Sequence, residues 1–154
     1  MKLLDRFRRN GPLQPPASAP VAAALSPHEA IQEARAGQLV IAEMLACMAQ
    51  GSLFIPLAAP PKMAGEVVVA WEPCTVSKPD GSHWIAAFTQ QDLASEFLKQ
   101  APAYSYGLSI GTMWVLEVLP PDHGIVINVG TAEGFEWSAA GIAEYKARVP
   151  RHAP

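Results

Sequence analysis

Hydrophobic and polar positions follow a helical period at the start of the folded region. Ser26-Pro27-His28-Glu29 has the residue order of a helix N-terminus, with Ser at the N-cap, Pro in the first turn and Glu placed to close a capping box. Apolar residues then recur at helical spacing as far as Gln50, and Gly51 follows as a stop signal. The pattern therefore predicts one helix over residues 27–50.

Short apolar runs separated by turn residues predict strands in the rest of the chain. These runs lie at 53–57, 66–71, 84–88, 104–108, 124–128 and 135–137. The Lys78-Pro79-Asp80-Gly81 turn predicts a hairpin between the second and third strands. Helices are predicted over 90–100 after a Thr89 cap, over 111–119, and from Ser138 to about residue 148. Hairpins mixed with helices predict an α+β fold, with a mixed sheet of about five or six short strands packed with about four helices.

Composition divides the chain into three parts. Residues 11–25 hold four prolines among Ala, Ser and Gln. Because proline fixes φ and lacks an amide proton, this stretch is typical of an extended linker. We therefore predict a basic and then Pro/Ala-rich flexible tail over residues 1–25, a single domain over 26–149 and a short tail over 150–154.

The charge distribution argues against a nucleic-acid partner. The chain carries a net charge of −3, but residues 1–25 carry +3, which leaves −6 for residues 26–154. A protein that neutralises phosphates needs the opposite sign. Residues 1–9 combine Leu3, Leu4 and Phe7 with basic side chains. Weak contact with an anionic membrane surface therefore stays open for these residues, beside the preferred interpretation of a solvated terminus.

The sequence gives no sign of export. The basic start runs into GPLQPPASAP rather than the apolar core of a signal peptide. No stretch approaches the roughly twenty apolar residues that span a bilayer. The two cysteines are too few for a disulfide framework. We expect a cytoplasmic protein in which neither thiol is needed for a disulfide.

Three segments, taken in order, resemble one bacterial family. IAEMLACMAQGSLFIPL, WIAAFTQQDLASEF and GIVINVGTAEGFEWS are similar to the N-terminal domain of the SseB family, over about residues 39–147. That family has an aliphatic-Pro strand after its first helix, a strand ending in Phe-Thr, and a strand ending in Asn-Pro before a Gly-containing turn. Val129 stands where the family usually has Pro. The resemblance implies no established enzymatic activity, and it implies an accessory or binding role of the kind found in secretion and toxin-associated settings.

Candidate catalytic and metal-binding chemistry is sparse. Cys74 is a candidate nucleophile, and Asp122-His123 could supply a base, but no nucleophile signature or spacing links them. The four histidines lack ligand spacing, and the glycines form no phosphate-binding loop. We expect no metal, no cofactor and no enzymatic activity. A cysteine-dependent enzyme using Cys74 is the last alternative.

A polar turn after the strand at 124–128 is a candidate binding site. Its candidate residues are Asn128, Gly130, Thr131, Glu133 and Gly134. An ordinary connection between strands is the preferred interpretation. The alternative function is a domain that senses a small polar metabolite, such as an amino acid, through this turn.

The second half of the predicted long helix is apolar almost all round. Leu39, Val40 and Cys47 fall outside its main apolar stripe. Such a helix is either buried between layers or shared with a partner. We expect burial for Val40 and partial exposure for Leu39, and we take Leu39, Val40 and Cys47 as a candidate surface for an unidentified protein partner or a second copy of the chain. The leading hypothesis is a non-catalytic binding or accessory module of the SseB type that acts through protein contacts.

Overall fold

The computed structural model describes residues 25–149. This part of the chain falls into two compact units that meet in sequence between Gly51 and Ser52, and each is described by itself. The predictions for the tail at 1–24, including membrane contact by residues 1–9, lie outside the described residues, as does the short tail at 150–154. Within the described range, no helix is both long and apolar enough to cross a membrane.

The described residues of the first unit, 25–51, contain two helices, α1 (Pro27–Arg35) and α2 (Ile41–Gln50), so the prediction of one helix over 27–50 is wrong. Gly37 ends α1 with φ +77°. Its N–H donates to the Ala34 carbonyl at 3.1 Å, and the Gln38 N–H donates to the Glu33 carbonyl at 2.8 Å. These two bonds form a Schellman motif, whose left-handed residue is most often glycine.

The start of α1 agrees with the sequence prediction. The Ser26 hydroxyl accepts from the Glu29 N–H at 3.2 Å, and the Glu29 carboxylate accepts from the Ser26 N–H at 2.9 Å. This capping box satisfies two backbone donors that a helix N-terminus otherwise leaves unpaired. At the other end of the unit, Gly51 has φ −93°, and a Cβ there would lie 2.4 Å from Cγ of Pro27. Glycine is therefore required at position 51 by close packing against Pro27 and not by a left-handed turn.

The second unit mixes eight strands with three helices, which confirms the α+β class. The strands are β1 (Ser52–Leu57), β2 (Lys62–Ala64), β3 (Val67–Ala70), β4 (Thr75–Ser77), β5 (His83–Ala87), β6 (Tyr106–Gly111), β7 (His123–Ile127) and β8 (Phe135–Trp137). The helices are α3 (Gln91–Gln100), α4 (Thr112–Val118) and α5 (Ala139–Arg148). Within the described residues the strands form three small sheets, β1-β6, β2-β3 and β4-β5-β7-β8, instead of one mixed sheet.

The parallel pair β5 and β7 forms the centre of the four-stranded sheet. Ile85, Ala86 and Ala87 of β5 lie beside Ile125, Val126 and Ile127 of β7. All of these except Val126 are buried, as expected for strands covered on both faces. Phe88 follows β5 and exchanges two backbone hydrogen bonds of 2.8 Å with Phe54 of β1. This bridge joins β1 and its partner β6 to the end of the four-stranded sheet.

The predicted turn at Lys78–Gly81 is present, but the strand that it joins to β5 is β4 and not β3. Lys78 and Ser82 close the turn that joins β4 to β5, with Gly81 at φ +84°. The earlier strand, β3, pairs instead with β2, through a two-residue turn at Gly65-Glu66. Pro73 interrupts the chain between β3 and β4, and β4 has only three residues. A run that short carries no recognisable period of its own.

Candidate functional site

The polar turn predicted as a binding site is organised around Asn128. This residue is fully buried and has φ +56°, a conformation that asparagine tolerates better than most residues. Its side-chain oxygen accepts from the Thr89 N–H at 2.9 Å and from the Thr89 hydroxyl at 3.2 Å. Its own N–H donates to the Ala87 carbonyl at 2.8 Å. Asn128 therefore ties the end of β7 to the end of β5.

The other polar groups of this turn bond mainly to one another. The Asn128 carbonyl accepts from the N–H and the hydroxyl of Thr131, at 3.1 and 2.9 Å. The Thr131 hydroxyl in turn accepts from the Glu133 N–H at 3.2 Å. Gly130 has φ +77° and Gly134 donates to the Thr131 carbonyl at 3.3 Å, so both glycines serve the turn itself. This arrangement favours a structural connection over a ligand site.

The predicted N-cap of α3 is wrong, and the hydrogen bonds between Thr89 and Asn128 explain why. The sequence placed Thr89 at the N-cap, but Gln90 occupies that position and its side chain makes no cap bond. The Thr89 hydroxyl is engaged with Asn128, 39 residues further along the chain. A long-range partner therefore replaces the local bond that the sequence pattern suggested.

Cys74 lies in the core of the second unit. Its side chain is 2% exposed and packs in one cluster with Ala86, Phe88 and Ala94. Burial raises the pKa of the Cys74 thiol above its ordinary value, and a hydrogen bond with Tyr104 offsets part of that rise. Because the thiolate is the nucleophile, a raised pKa and a covered sulfur both reduce reactivity.

The Asp122-His123 pair of the sequence analysis is part of a polar row across the four-stranded sheet. His123 Nδ1 lies 2.8 Å from the Asp122 carboxylate, and the His123 ring stacks on that of His83, its neighbour on β5, with 5.4 Å between centroids. Within residues 25–149, no group of three or more His, Cys, Asp or Glu side chains is arranged to hold a metal ion.

The candidate surface on the first unit is not formed as predicted. Cys47 is 1% exposed, and burial raises the pKa of its thiol, with the Glu43 carboxylate adding to the rise. Val40 is 63% exposed, so the expectation of burial is wrong, whereas Leu39 is half-buried as expected. The reason is the break at Gly37, which removes Val40 from the helical wheel and makes it the N-cap of α2. Val40 and the neighbouring Ile41, which is 58% exposed, are the apolar residues that α2 presents to solvent at its start.

The sequence analysis missed a larger apolar surface, the β2-β3 hairpin (Lys62–Ala70). Val67 and Val69 are about as exposed as Val40, at 61% and 60%, and Met63 is 48% exposed. Val67 and Val69 lie two residues apart on β3 and therefore face the same side, whereas Met63 pairs with Val68 and faces the other side. The hairpin is a sheet of two strands, so within the described residues each strand has one edge without a neighbouring strand.

The base of this hairpin is anchored. Trp71, directly after β3, meets Trp114 of α4 edge to face, with 5.0 Å between ring centroids. The Ala58 N–H donates to the Glu72 carbonyl at 2.9 Å, and Leu57 forms a backbone bridge with Pro73. The hairpin is thus a fixed element whose apolar side chains remain uncovered.

Comparison with known protein families identifies the fold. Residues 28–144 match the SseB protein N-terminal domain, and this range includes nearly all of the described residues, 25–149. The chain belongs to the SseB family. No curated protein and no solved structure matches this SseB domain. The family match therefore confirms the resemblance seen in the sequence.

Proposed function

We propose that this SseB domain is a non-catalytic binding module that acts through protein contacts, and that the β2-β3 hairpin is its contact surface. The observation that carries the proposal is the exposure of Val67 and Val69 together on one face of this small sheet. Clustered exposed apolar side chains are typical of interaction sites. The raised pKa and burial of Cys74 support a role without nucleophilic catalysis.

The open edge of β3 suggests how a partner binds. Folded proteins usually protect strand edges with charged residues or proline. Pro60 and Pro61 precede β2 and Lys62 begins it, whereas β3 (Val67–Ala70) contains neither a charge nor a proline. We therefore assign the partner's contact to an extended segment that adds as a further strand along β3. Backbone hydrogen bonds would supply affinity, and Val67 and Val69 would select apolar side chains.

The test uses the full chain and a matched control. Val69→Lys places a charge on the proposed surface, and Val40→Lys does the same at an equally exposed valine of the first unit. A photo-crosslinking residue at position 67 in the native host first identifies the partner. Purified partner is then titrated against wild type and both variants by calorimetry, with thermal melts alongside.

We expect Val69→Lys to weaken binding by about tenfold or more, because the complex would lose one buried aliphatic contact and would bury an unpaired charge. The melting temperature of the variant should stay near that of wild type. Val40→Lys should bind as wild type does. Unchanged binding by Val69→Lys would contradict the proposal. Crosslinking of position 67 to a second copy of the chain would show that the hairpin forms a homodimer contact and does not bind a different protein.

A further inference from the structure

A cleft of about 480 Å³ lies between the end of α4, the loop that leads into β7, and α5. This cleft is separate from the hairpin and plays no part in the proposed protein contact. Its volume falls in the range of roughly 300–1,000 Å³ that is typical of small-molecule sites.

Most of the residues that line the cleft have apolar side chains. Leu119, Pro120 and Pro121 line one side and Ile142 lines part of the other, while Leu116, which also borders the cleft, is fully buried. Ala139 and Ala143 lie one turn apart on α5, and their short side chains leave the space open. Such walls favour a ligand with an apolar body, because burying that body removes its surface from water.

The polar side chains of the cleft include one ammonium group and no carboxylate. Lys146 and His123 line it, and no aspartate or glutamate is among the lining residues. Lys146 Nζ donates one hydrogen bond to the Leu116 carbonyl at 3.1 Å, which positions the ammonium beside the apolar wall. Lys78 and Lys99 each have a carboxylate partner, but Lys146 forms no ion pair with a carboxylate of the described residues.

We infer that the cleft binds a small organic acid with an apolar body, whose carboxylate pairs with Lys146. An ammonium has three N–H donors, so the bond to Leu116 leaves capacity for a carboxylate. A single negative charge fits better than a phosphate dianion, because one lysine beside apolar walls offsets the desolvation of one charge more completely than of two. His123 is held at the cleft by Asp122 and by stacking on His83, and it adds a second polar contact.

The first experiment compares two probes on the wild-type chain. 4-Phenylbutyrate carries the proposed carboxylate, and 4-phenylbutyramide has the same apolar body without the charge. Each is titrated into isotope-labelled protein while amide chemical shifts are recorded. We expect saturable shifts at Leu116, Ala143 and Lys146, with the acid binding about tenfold more tightly than the amide, as one charge-assisted hydrogen bond would give.

The second experiment uses variants whose fold is checked by the same spectra. Lys146→Met removes the charge and keeps most of the side-chain length, and Ala143→Phe fills the cleft without touching Lys146. Lys99→Met removes an exposed lysine elsewhere and is the matched control. Both cleft variants should bind 4-phenylbutyrate about tenfold more weakly than wild type, and the control should bind it as wild type does.

Three results would overturn the inference. The acid and the amide could bind wild type equally, which would mean that the charge is not recognised. The shifts could map outside the cleft, or fail to saturate. The control could lose as much affinity as the two cleft variants. None of these results depends on whether the hairpin binds a protein, so the two proposals fail or stand separately.

Discussion

At the scale of single residues, the fold depends on a few side chains that link distant backbone segments. Asn128 is the clearest case, because its side chain bonds Thr89 and its backbone bonds Ala87, on the strand beside its own. Its φ of +56° also places it in the left-handed region, which costs most residues energy. The side-chain hydrogen bonds and the backbone conformation of Asn128 therefore contribute separately to the free energy of unfolding.

Two substitutions of Asn128 separate these contributions. Asn128→Ala loses the bonds to Thr89 and keeps a side chain in the left-handed region, so we expect a loss of about 2–4 kcal/mol in the free energy of unfolding. Asn128→Gly loses the same bonds but relieves the backbone, so it should be milder by about 1 kcal/mol. Urea unfolding measures both. Equal losses would show that the backbone conformation is not strained.

Asp80 gives a prediction about pKa. Hydrogen bonds from the side chain and the backbone N–H of Ser82 hold the pKa of the Asp80 carboxyl below its ordinary value. A carboxyl with a lowered folded-state pKa stabilises the fold above its unfolded pKa, and this contribution is lost as the pH falls through the folded pKa. Ser82→Ala should raise the Asp80 pKa toward its ordinary value, as measured by carbon NMR titration of the carboxyl.

Asp122 is the internal control for that titration. Its pKa is also lowered, but chiefly by the hydrogen bond with His123. It should therefore titrate unchanged in Ser82→Ala. A change in the pKa of both carboxyls would indicate a general change in the structure of the sheet. An unchanged pKa of Asp80 would show that Ser82 is not the cause of its lowered value.

At the scale of elements, features that depend on neighbouring residues were predicted from the sequence. Features that depend on residues far apart in the chain were not. The helix starts at Ser26 and Ser138 were predicted because their caps involve residues three positions apart. The break at Gly37 was missed because apolar residues continue at helical spacing on both sides of it. β2 and β4 are three residues long, and the partner of β3 depends on a turn at Gly65-Glu66 that was not recognised in the sequence.

Glycines 37 and 51 provide the test at this scale. A Cβ at position 37 meets nothing within 4 Å, so Gly37→Ala should cost only the left-handed backbone term of about 1 kcal/mol. A Cβ at position 51 meets Pro27 at 2.4 Å, so Gly51→Ala should cost about 1–3 kcal/mol through overpacking. Urea unfolding ranks the two. A neutral or stabilising Gly37→Ala would favour the continuous helix over 27–50.

At the scale of the whole molecule, the sequence predicted the α+β class and the family but not the surfaces. An apolar helix suggested a contact at Leu39, Val40 and Cys47, whereas Cys47 is buried and the larger apolar surface is on the hairpin. A run such as Val67–Ala70 is typical of a buried strand, and its exposure depends on which elements cover it. The cleft at Lys146 is formed by two separate stretches of the chain, residues 116–123 and 139–149, and no local motif marks it.

The reactivity of the two thiols tests the non-catalytic interpretation for the molecule as a whole. Neither cysteine is in a disulfide, both are buried, and burial raises the pKa of each. A thiol reagent should therefore reach them through opening of the fold, and their reaction at pH 8 should be about a hundredfold or more slower than in the urea-unfolded chain. Stopped-flow absorbance with an aromatic disulfide reagent measures both rates.

Single variants assign the two thiols in that experiment. In Cys47→Ala only Cys74 reacts, and in Cys74→Ala only Cys47 reacts, so each rate is read separately. Both rates should rise together as urea approaches the unfolding midpoint, because opening limits each of them. A fast reaction of Cys74 in the native protein, with Cys47 still protected, would contradict its burial. It would also favour the cysteine-dependent enzyme over the binding module, because an accessible thiolate is what that chemistry requires.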